Sequence, residues 1–458
     1  MKHCRKSVER KAHAIPLIRF EQQRRTSFAG LALLQAFLAA IDFKARAAGC
    51  FRYVRAGKIY GRATVFVQLV LHLLLGYRDL RESDGYRDDP MVKHLLGLRR
   101  LPDVATLSRM LKDADARSIR RLRGLLRRMV VERLRKSGLK RVTFDFDGSV
   151  QSTTRRAEGT AVGFNKRKKG ARGCYPLFCT IAQTAQVLDF LHRGGNVHDS
   201  HGARAFIAEC LNRIRAALPG ATLEVRADSA FFSDELATVL RGQRVEFTLS
   251  VPFERFTELK GLIEARRRWR PVDADRAFFE SDWRPKSWTR SCRFVFIRKR
   301  TARRHKGPVQ LDLFVPHEHG FEFKAIVTNK SVGAGTVLRF HEGRGAQEGI
   351  FGELKTHCAM GHVPARRRLG NQMYLPAGLF AHNLVRELQM RTGAPSRGTT
   401  DHRAALWTFE QVDTFRKTLL HRAGRLTRPG GALTLTLSGA GRVKEKLLSM
   451  LHCLRRAA

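Results

Sequence analysis

The spacing of hydrophobic positions divides the chain into a helical first third and a strand-rich middle. In residues 1–138 the segments LALLQAFLAAI, TVFVQLVLHLLLGY and ARSIRRLRGLLRRMVVERLRK carry apolar residues three and four apart, the period of a helix with one buried face. An all-α domain is expected there. Within it, LPDVATLSRMLKDAD reads as a short amphipathic helix, either the second helix of a DNA-reading helix-turn-helix or one member of an ordinary helix pair. The arginine-rich helix after it, about 117–135, could face phosphate or simply water.

From residue 139 the period becomes two. In LKRVTFDFDGSV, Val142, Phe144 and Phe146 alternate with Thr143, Asp145 and Asp147, which predicts a strand with carboxylates on one face, ended by Gly148. PLFCTIAQ and QVLDFLHR predict a hairpin and HGARAFIAECLNRIRAAL a helix. In ATLEVRADSAFFSDELATVL, Leu223, Val225 and Ala227 alternate with Glu224, Arg226 and Asp228 before a helical pattern begins. Asp147 and Asp228 thus both fall at carboxyl ends of predicted strands, where open α/β sheets hold their ligands. After the strand VEFTLSVP, residues 252–335 are too many for a plain connection and predict a β-rich insertion, with strands in SCRFVFIRKR, VQLDLFVP and FEFKAIVTN. NQMYLPAGLFAHNLVRELQM predicts a helix interrupted by Pro376 that covers the sheet. Residues 391–405 read as a linker, and the rest as a mixture of helix and short strand ending in a basic amphipathic helix.

Charge adds the partner. The 458 residues hold 86 Lys and Arg against 41 Asp and Glu, a formal charge of +45, which points to nucleic acid. A hydrophobic content of 43% supports sizeable cores, so the chain is no mere basic tail. The eight cysteines include no C-x-x-C pair, which argues against a zinc ribbon or disulfide framework and for a reducing cytosol. The longest apolar run, residues 65–75, is broken by Gln68 and His72 and is shorter than the ~20 residues of a membrane span. The basic start MKHCRKSVERK is not followed by an apolar segment. A cytoplasmic, nucleoid-associated protein without a membrane partner is expected.

The densest chemistry lies in FHEGRGAQEGIFGELKTH. Steps of three, four and seven place His341, Arg344, Glu348 and Lys355 on one polar stripe of a single helix, with Ile350, Leu354 and Cys358 facing elsewhere. An ordinary solvated stripe, with contacts of a few tenths of a kcal/mol, is the competing reading. Gly343, Gly345, Gly349 and Gly352 cost about 1 kcal/mol each inside a helix and suggest close approach by another backbone or a nucleic acid. Asp147, Asp228 and Glu348 could converge on two divalent ions, Mg²⁺ or Mn²⁺, for in-line displacement at phosphorus. Taken singly, each Asp could instead end a strand or cap a helix. The loop STTRRAEGTAVGFNKRKKGARG gathers Arg155, Arg156, Lys166, Arg167, Lys168, Lys169 and Arg172, a grip for DNA backbone. Trp269, Trp283 and Trp288 lie among arginines and could stack on bases or form local core. GGNVHDSHGA, with His198, Asp199 and His201, reads as a turn and helix cap without metal-site spacing.

FDFDGS around Asp147, RADSAFFS around Asp228 and His341-x2-Arg344-x3-Glu348-x6-Lys355 resemble the motifs of DDE-type insertion-sequence transposases, which have a ribonuclease-H-like core. DFDGSVQST, GTAVGFNKRKKGARGCYPLFCTIAQTAQVLDFLHRGGNVHDSHGA and EGRGAQEGIFGELKTH resemble the insertion sequence 1380 family. The likeness runs from RTSFAGLALLQ to LTLTL. It implies an α/β fold, a ribonuclease-H-like mixed sheet flanked by helices, in two parts (139–251 and 336–392). The β-rich insertion 252–335 would interrupt it and help hold a DNA end with a flipped base. A helical DNA-binding domain would occupy 1–138, and a segment for DNA contact or dimerisation 405–458. It assigns metal binding and catalysis to Asp147, Asp228 and Glu348, and phosphate contacts to Arg344 and Lys355. His341 stands where the signature has tyrosine and could still donate to a phosphate. Asp145 competes with Asp147 as first ligand, and Glu353 is a weaker rival of Glu348. The implied activity is cleavage of element ends and their joining to target DNA with two Mg²⁺ or Mn²⁺ ions, by a homodimer in a synaptic complex on double-stranded DNA. A metal-dependent nuclease without joining and a non-catalytic DNA-binding descendant are the alternatives.

Overall fold

Three of the helices in the first third begin where acidic caps stand. The computed structural model describes residues 18, 23–55, 57, 59–163, 165, 168–252, 256–301, 320–400, 405–439 and 441–456. The first helices are α1 (Leu31–Ala40), α2 (Phe43–Cys50), α3 (Arg62–Leu74), α4 (Pro90–Leu96), α5 (Val104–Lys112) and α6 (Ala116–Lys136). Asp89, Asp103 and Asp115 precede the last three, and their carboxylates accept from the amides of Val92, Thr106 and Ser118, groups that the helix itself leaves without partners.

These helices do not close a core of their own. Their apolar faces gather around α11 (Arg368–Thr392), where Phe43 and Phe66 meet Phe380 at 5.6 and 6.0 Å between ring centroids. Residues 373–388 of α11 are buried without exception, so this helix requires cover on every side. That burial also carries α11 straight through Pro376, which was expected to interrupt it: one missing backbone hydrogen bond is outweighed by the apolar surface removed from water.

Nine strands among the described residues form one mixed sheet: β1 (Arg141–Gly148), β2 (Leu177–Ile181), β3 (Gln186–Leu191), β4 (Thr222–Ala227), β5 (Glu246–Ser250), β6 (Arg270–Pro271), β7 (Arg276–Trp283), β8 (Cys292–Arg300) and β9 (Phe321–Thr328). The order across it is β6-β7-β8-β9-β5-β4-β1-β2-β3. The central trio β1, β4 and β5 is parallel, and the pairs outside it are antiparallel. Helices α7 (Ala203–Ala217) and α8 (Asp234–Gly242) connect β3 to β4 and β4 to β5. At the outer edge, the Asn383 amide on α11 donates to Val187 O and accepts from Val187 N at 2.8 and 3.0 Å, which satisfies backbone groups that an edge strand would otherwise leave open.

Among the described residues the expected insertion makes no sheet of its own. Its strands extend the central one, with β9 paired to β5 through Val327 opposite Leu249. Part of this segment, including VQLDLFVP, lies outside the described residues. Its tryptophans pack as core: Trp288 stacks on Phe232 at 4.7 Å, Trp283 meets Phe294 edge-on at 4.9 Å, and Trp269 meets Phe279 at 4.7 Å. Phe279 and Phe294 on the strands and Phe232 after β4 supply these apolar partners; Trp288 is buried, and Trp269 and Trp283 are half-buried.

After the sheet come α9 (Ala334–Glu342), a 3₁₀ turn at Gly343–Gly345, α10 (Ala346–His357), α11 and, at the end, α12 (Gly441–Arg456). α12 packs on α1 and α11. Strand Gly424–Thr427 pairs with both Arg25–Thr26 and Thr434–Leu437, tying the two ends of the described chain together. No helix among the described residues is long and apolar enough to cross a membrane.

Candidate active site

Register places the first two acidic residues side by side. β1 and β4 run parallel with Phe146 opposite Ala227, so the next residues, Asp147 and Asp228, emerge together at the carboxyl end of the sheet. Asp147 accepts from the Gly148 amide at 2.7 Å. Asp228 accepts from the Ala230 amide at 3.0 Å and so caps the turn Ser229–Phe231. Burial, reinforced by the charge of Asp228, pushes the Asp147 carboxyl up to about 7, against the pull of Arg344. Burial raises Asp228 too, with Asp199 adding to the effect and Arg344 opposing it. The Arg344 guanidinium stands 3.4 Å from Asp147 Oδ2. Two carboxyls that resist ionisation beside one arginine make a site that favours an added positive charge.

Asp145 has a different position. Its side chain is 2% exposed and takes both nitrogens of a bidentate pair with Arg226, at 2.7 Å each. Arg226 also donates to Phe340 O at 2.9 Å. A Cβ on Gly343 would overlap that guanidinium, so this glycine makes room for an arginine side chain rather than for the backbone or nucleic acid expected. The other three motif glycines, Gly345, Gly349 and Gly352, have nothing within 4 Å of an added Cβ.

The expected single stripe is interrupted. The 3₁₀ turn advances about 120° per residue where an α-helix advances about 100°, which turns His341 away from the residues that follow it. His341 is 1% exposed; its ring nitrogens lie 2.9 Å from Thr248 Oγ1 and 2.8 Å from Ser250 Oγ. Burial, together with Lys324, Arg344 and Arg226, holds its pKa well below the usual value. In the fold the His341 imidazole is bonded to β5 through Thr248 and Ser250. Arg344 reaches Asp147, while Glu348, one turn further along in the first turn of α10, is exposed. Among the described residues no three His, Cys, Asp or Glu side chains are gathered closely enough to hold a metal ion by themselves. Glu353 points inward: it pairs with Arg386, lies 3.5 Å from His382 Nε2 and accepts from the Val412 amide. Lys355 is exposed in the last turn of α10. In the basic loop Lys168 and Lys169 are exposed, and Arg172 donates to Thr160 O at 2.6 Å. Lys166 and Arg167 lie outside the described residues.

A family described as Transposase DDE domain group 1 matches residues 12–458. The chain belongs to this DDE transposase family. Among solved structures, it resembles piggyBac transposase in a synaptic complex with hairpin DNA, at 12% identity over 84% of this chain and 79% of that one, TM-score 0.41. It also resembles Mos1 transposase in a paired-end complex with its left transposon end, at 13% identity over 43% and 60%, TM-score 0.17. No curated protein matches.

In this DDE transposase two residues beside the acidic pair, Arg193 and Tyr175, were not singled out by sequence reasoning, and a third, Asp199, was read as part of a turn. Arg193, 4% exposed, donates to the carbonyls of Tyr175, His198, Asp199 and His201 at 2.8–3.2 Å. Tyr175 in turn donates to Asp199 Oδ2 at 3.0 Å. A Cβ on Gly148 would overlap both the Tyr175 ring and the Asp199 carboxylate, so the assembly packs directly on the residue after Asp147. The spacing within GGNVHDSHGA carries no sign of this, because the arginine that organises the loop reaches it through backbone carbonyls. The one available signal was an aspartate in a segment otherwise read as a turn.

Proposed function

We propose that this transposase cuts DNA at the ends of its own element and joins them to a target, with Asp147, Asp228 and Glu348 as its acidic residues, and that its branch is the insertion sequence 1380 family with a ribonuclease-H-like core. The observation that carries the reading is the pair Asp147 and Asp228, adjacent at the ends of parallel strands, both raised by burial and facing Arg344. Their hard oxygens fit Mg²⁺ or Mn²⁺, and Mg²⁺ in particular is commonly held by one or two carboxylates with waters and substrate phosphates completing its shell. When bound, two such ions activate the attacking oxygen and stabilise the leaving one. The protein's part is to hold the two carboxylates at a fixed separation, keep them ready for a cation, and offer the Arg344 fork to a non-bridging phosphate oxygen. Water displaces the element's 3′-oxygen at the scissile phosphorus; the freed 3′-hydroxyl then attacks a target phosphodiester and releases a target 3′-hydroxyl. Lys355, Lys166, Arg167, Lys168, Lys169 and Arg172 are assigned to DNA backbone, and two chains are needed to bring two ends together.

The test is Mg²⁺-dependent cleavage and joining of duplexes carrying the ends that flank the gene. Asp147→Asn and Asp228→Asn should reduce both products by at least about a thousandfold. Glu348→Gln should do the same with the melting temperature unchanged, whereas Glu353→Gln should lower the melting temperature. Cleavage that persists in Glu348→Gln would remove it from the reaction. Cut ends that are never joined would make the protein a nuclease, and tight end binding without cleavage would make this chain a non-catalytic binder.

A further inference from the structure

The arginines of α6 are not all treated alike. Arg123 and Arg127 pair with Asp189 at 2.9 and 3.1 Å, Arg127 also with Glu209 at 2.8 Å, and Arg133 with buried Glu387 at 2.7 Å. Arg117, Arg121 and Arg128 occupy another face, recurring at steps of four and seven, and Arg120 lies between the two faces. Among the described residues no carboxylate pairs with any of these four, although Arg46 across the groove is tied to Glu132 at 2.6 Å. Together with Arg46 and Gly49 of α2 they line a concavity of about 560 Å³.

An exposed aromatic ring holds this positive wall together. Tyr53, 48% exposed, has the guanidinium carbons of Arg117, Arg121 and Arg52 at 3.6, 4.3 and 4.7 Å from its ring centroid. The electron-rich face of the phenol lets like charges stand close without a carboxylate between them. Arg121 is fixed further by donating to Gly49 O at 3.1 Å. Gly49 has nothing within 4 Å of an added Cβ, so the groove stays open beside it. Guanidinium groups held by ring stacking keep their N–H edges for an acceptor, and their fork matches two phosphate oxygens.

We propose that this groove binds the phosphodiester backbone of duplex DNA at a place separate from the acidic centre. The choice of DNA rests on the transposase reading; the choice of a polyanion rests on shape. From Arg117 to Arg128 the stripe rises about 16 Å at 1.5 Å per residue, a length of duplex that carries about five phosphates on one strand. A single small anion would need only one or two of these side chains. The groove shares no residue with Asp147, Asp228 or Arg344, so it acts as an anchor that sets where the duplex lies.

The experiment is a fluorescence-anisotropy titration of the full chain with duplex DNA, without divalent metal, over a series of salt concentrations. The triple variant Arg117→Ala, Arg120→Ala and Arg128→Ala should bind at least about tenfold more weakly at low salt and reduce the slope of log K against log salt by about 2–3, because each phosphate neutralised by an arginine adds ~0.9 to that slope. The corresponding triple lysine variant should keep most of the slope, since point charge suffices for that dependence. An unchanged slope in the alanine variant, with its melting temperature intact, overturns the inference while leaving the proposed chemistry of Asp147 and Asp228 untouched. Wild-type chain that binds no duplex overturns both. A variant that loses binding only to single-stranded RNA, or only to vesicles of anionic phospholipid, assigns the groove to that partner and overturns the DNA assignment.

Discussion

The two ends of the same sheet treat carboxylates in opposite ways. Near the amino end of β4, Glu224 accepts from Lys330 at 2.6 Å, Arg141 at 2.8 Å and Thr143 at 2.9 Å, and Glu246 beside it pairs with the same two cations. Burial would raise Glu224, but Lys330 and the hydrogen bonds from Arg141 and Lys330 win, and its pKa is lowered. Four residues on, about 13 Å along the strand, Asp228 and its neighbour Asp147 are only half-buried but share a single nearby guanidinium, and both are raised. Burial alone therefore does not mark a functional acid on this sheet. The mark is a missing counter-charge, and it separates charges that hold the fold together from charges kept for a ligand.

The largest expected effect breaks the neutralised side of this comparison at its closest approach to the site. Arg226→Ala would leave Asp145 buried with no partner and release the Phe340 carbonyl, a change expected to cost about 3–5 kcal/mol of unfolding free energy. Chemical denaturation measures it, and a drop below about 1 kcal/mol would mean that Asp145 is reached by water or a cation after all.

Asp147→Asn should act in the opposite direction. A carboxyl displaced from 3.8 to about 7 weakens the fold by up to ~4 kcal/mol once ionised, at about 1.36 kcal/mol per pH unit. The native state holds its proton longer than the unfolded state, so stability is full below pH 3.8 and falls as pH rises through about 7. The pull of Arg344 is already contained in that displacement; discounted for solvent screening of a half-buried carboxylate, the variant should gain about 1–3 kcal/mol at pH 8 in metal-free buffer. That gain should shrink steadily toward pH 5. A gain independent of pH would show that Asp147 is ionised without strain.

Much of this contrast was legible in the sequence, and the reasons for the rest are physical. Alternation located β1 and β4 and put Asp147 and Asp228 at strand ends before any contact was known. The same alternation put Thr143 and Asp145 on the face opposite the apolar residues, and that face is buried too, at 4% and 1% exposed. A polar strand face can be buried when arginine and lysine arrive from distant sequence, as Arg226 and Lys330 do. Helical spacing found the motif but assumed one uninterrupted α-helix, and a three-residue 3₁₀ turn was enough to send His341 inward. Domain limits followed composition, whereas packing followed surfaces: β9 found an open edge on β5, and α11 needed the first helices to cover it. For the tryptophans among arginines the sequence left base stacking and local core both open, because the phenylalanines they pack against, Phe232, Phe279 and Phe294, lie elsewhere in the chain.

The smallest expected effect tests the comparison from its neutralised end. Glu224→Gln keeps the shape and can still accept from Thr143, but leaves Lys330, 5% exposed, leaning on Glu246 alone. A cost of about 2 kcal/mol at pH 7 is expected, since a hydrogen bond between charged partners becomes one with a neutral acceptor. The sign with pH is the reverse of that for Asp147. Glu224 has a lowered pKa in the fold, so its contribution is present above pH 4.5 and is lost as pH falls through the folded value. Equilibrium unfolding of wild type and variant across that range should bring the two curves together on acidification, while the Asp147→Asn curves separate on going alkaline. If both variants moved the same way with pH, the distinction between paired and unpaired carboxylates on this sheet would fail, and with it the argument that picks Asp147 and Asp228 out as the acids held ready for a cation.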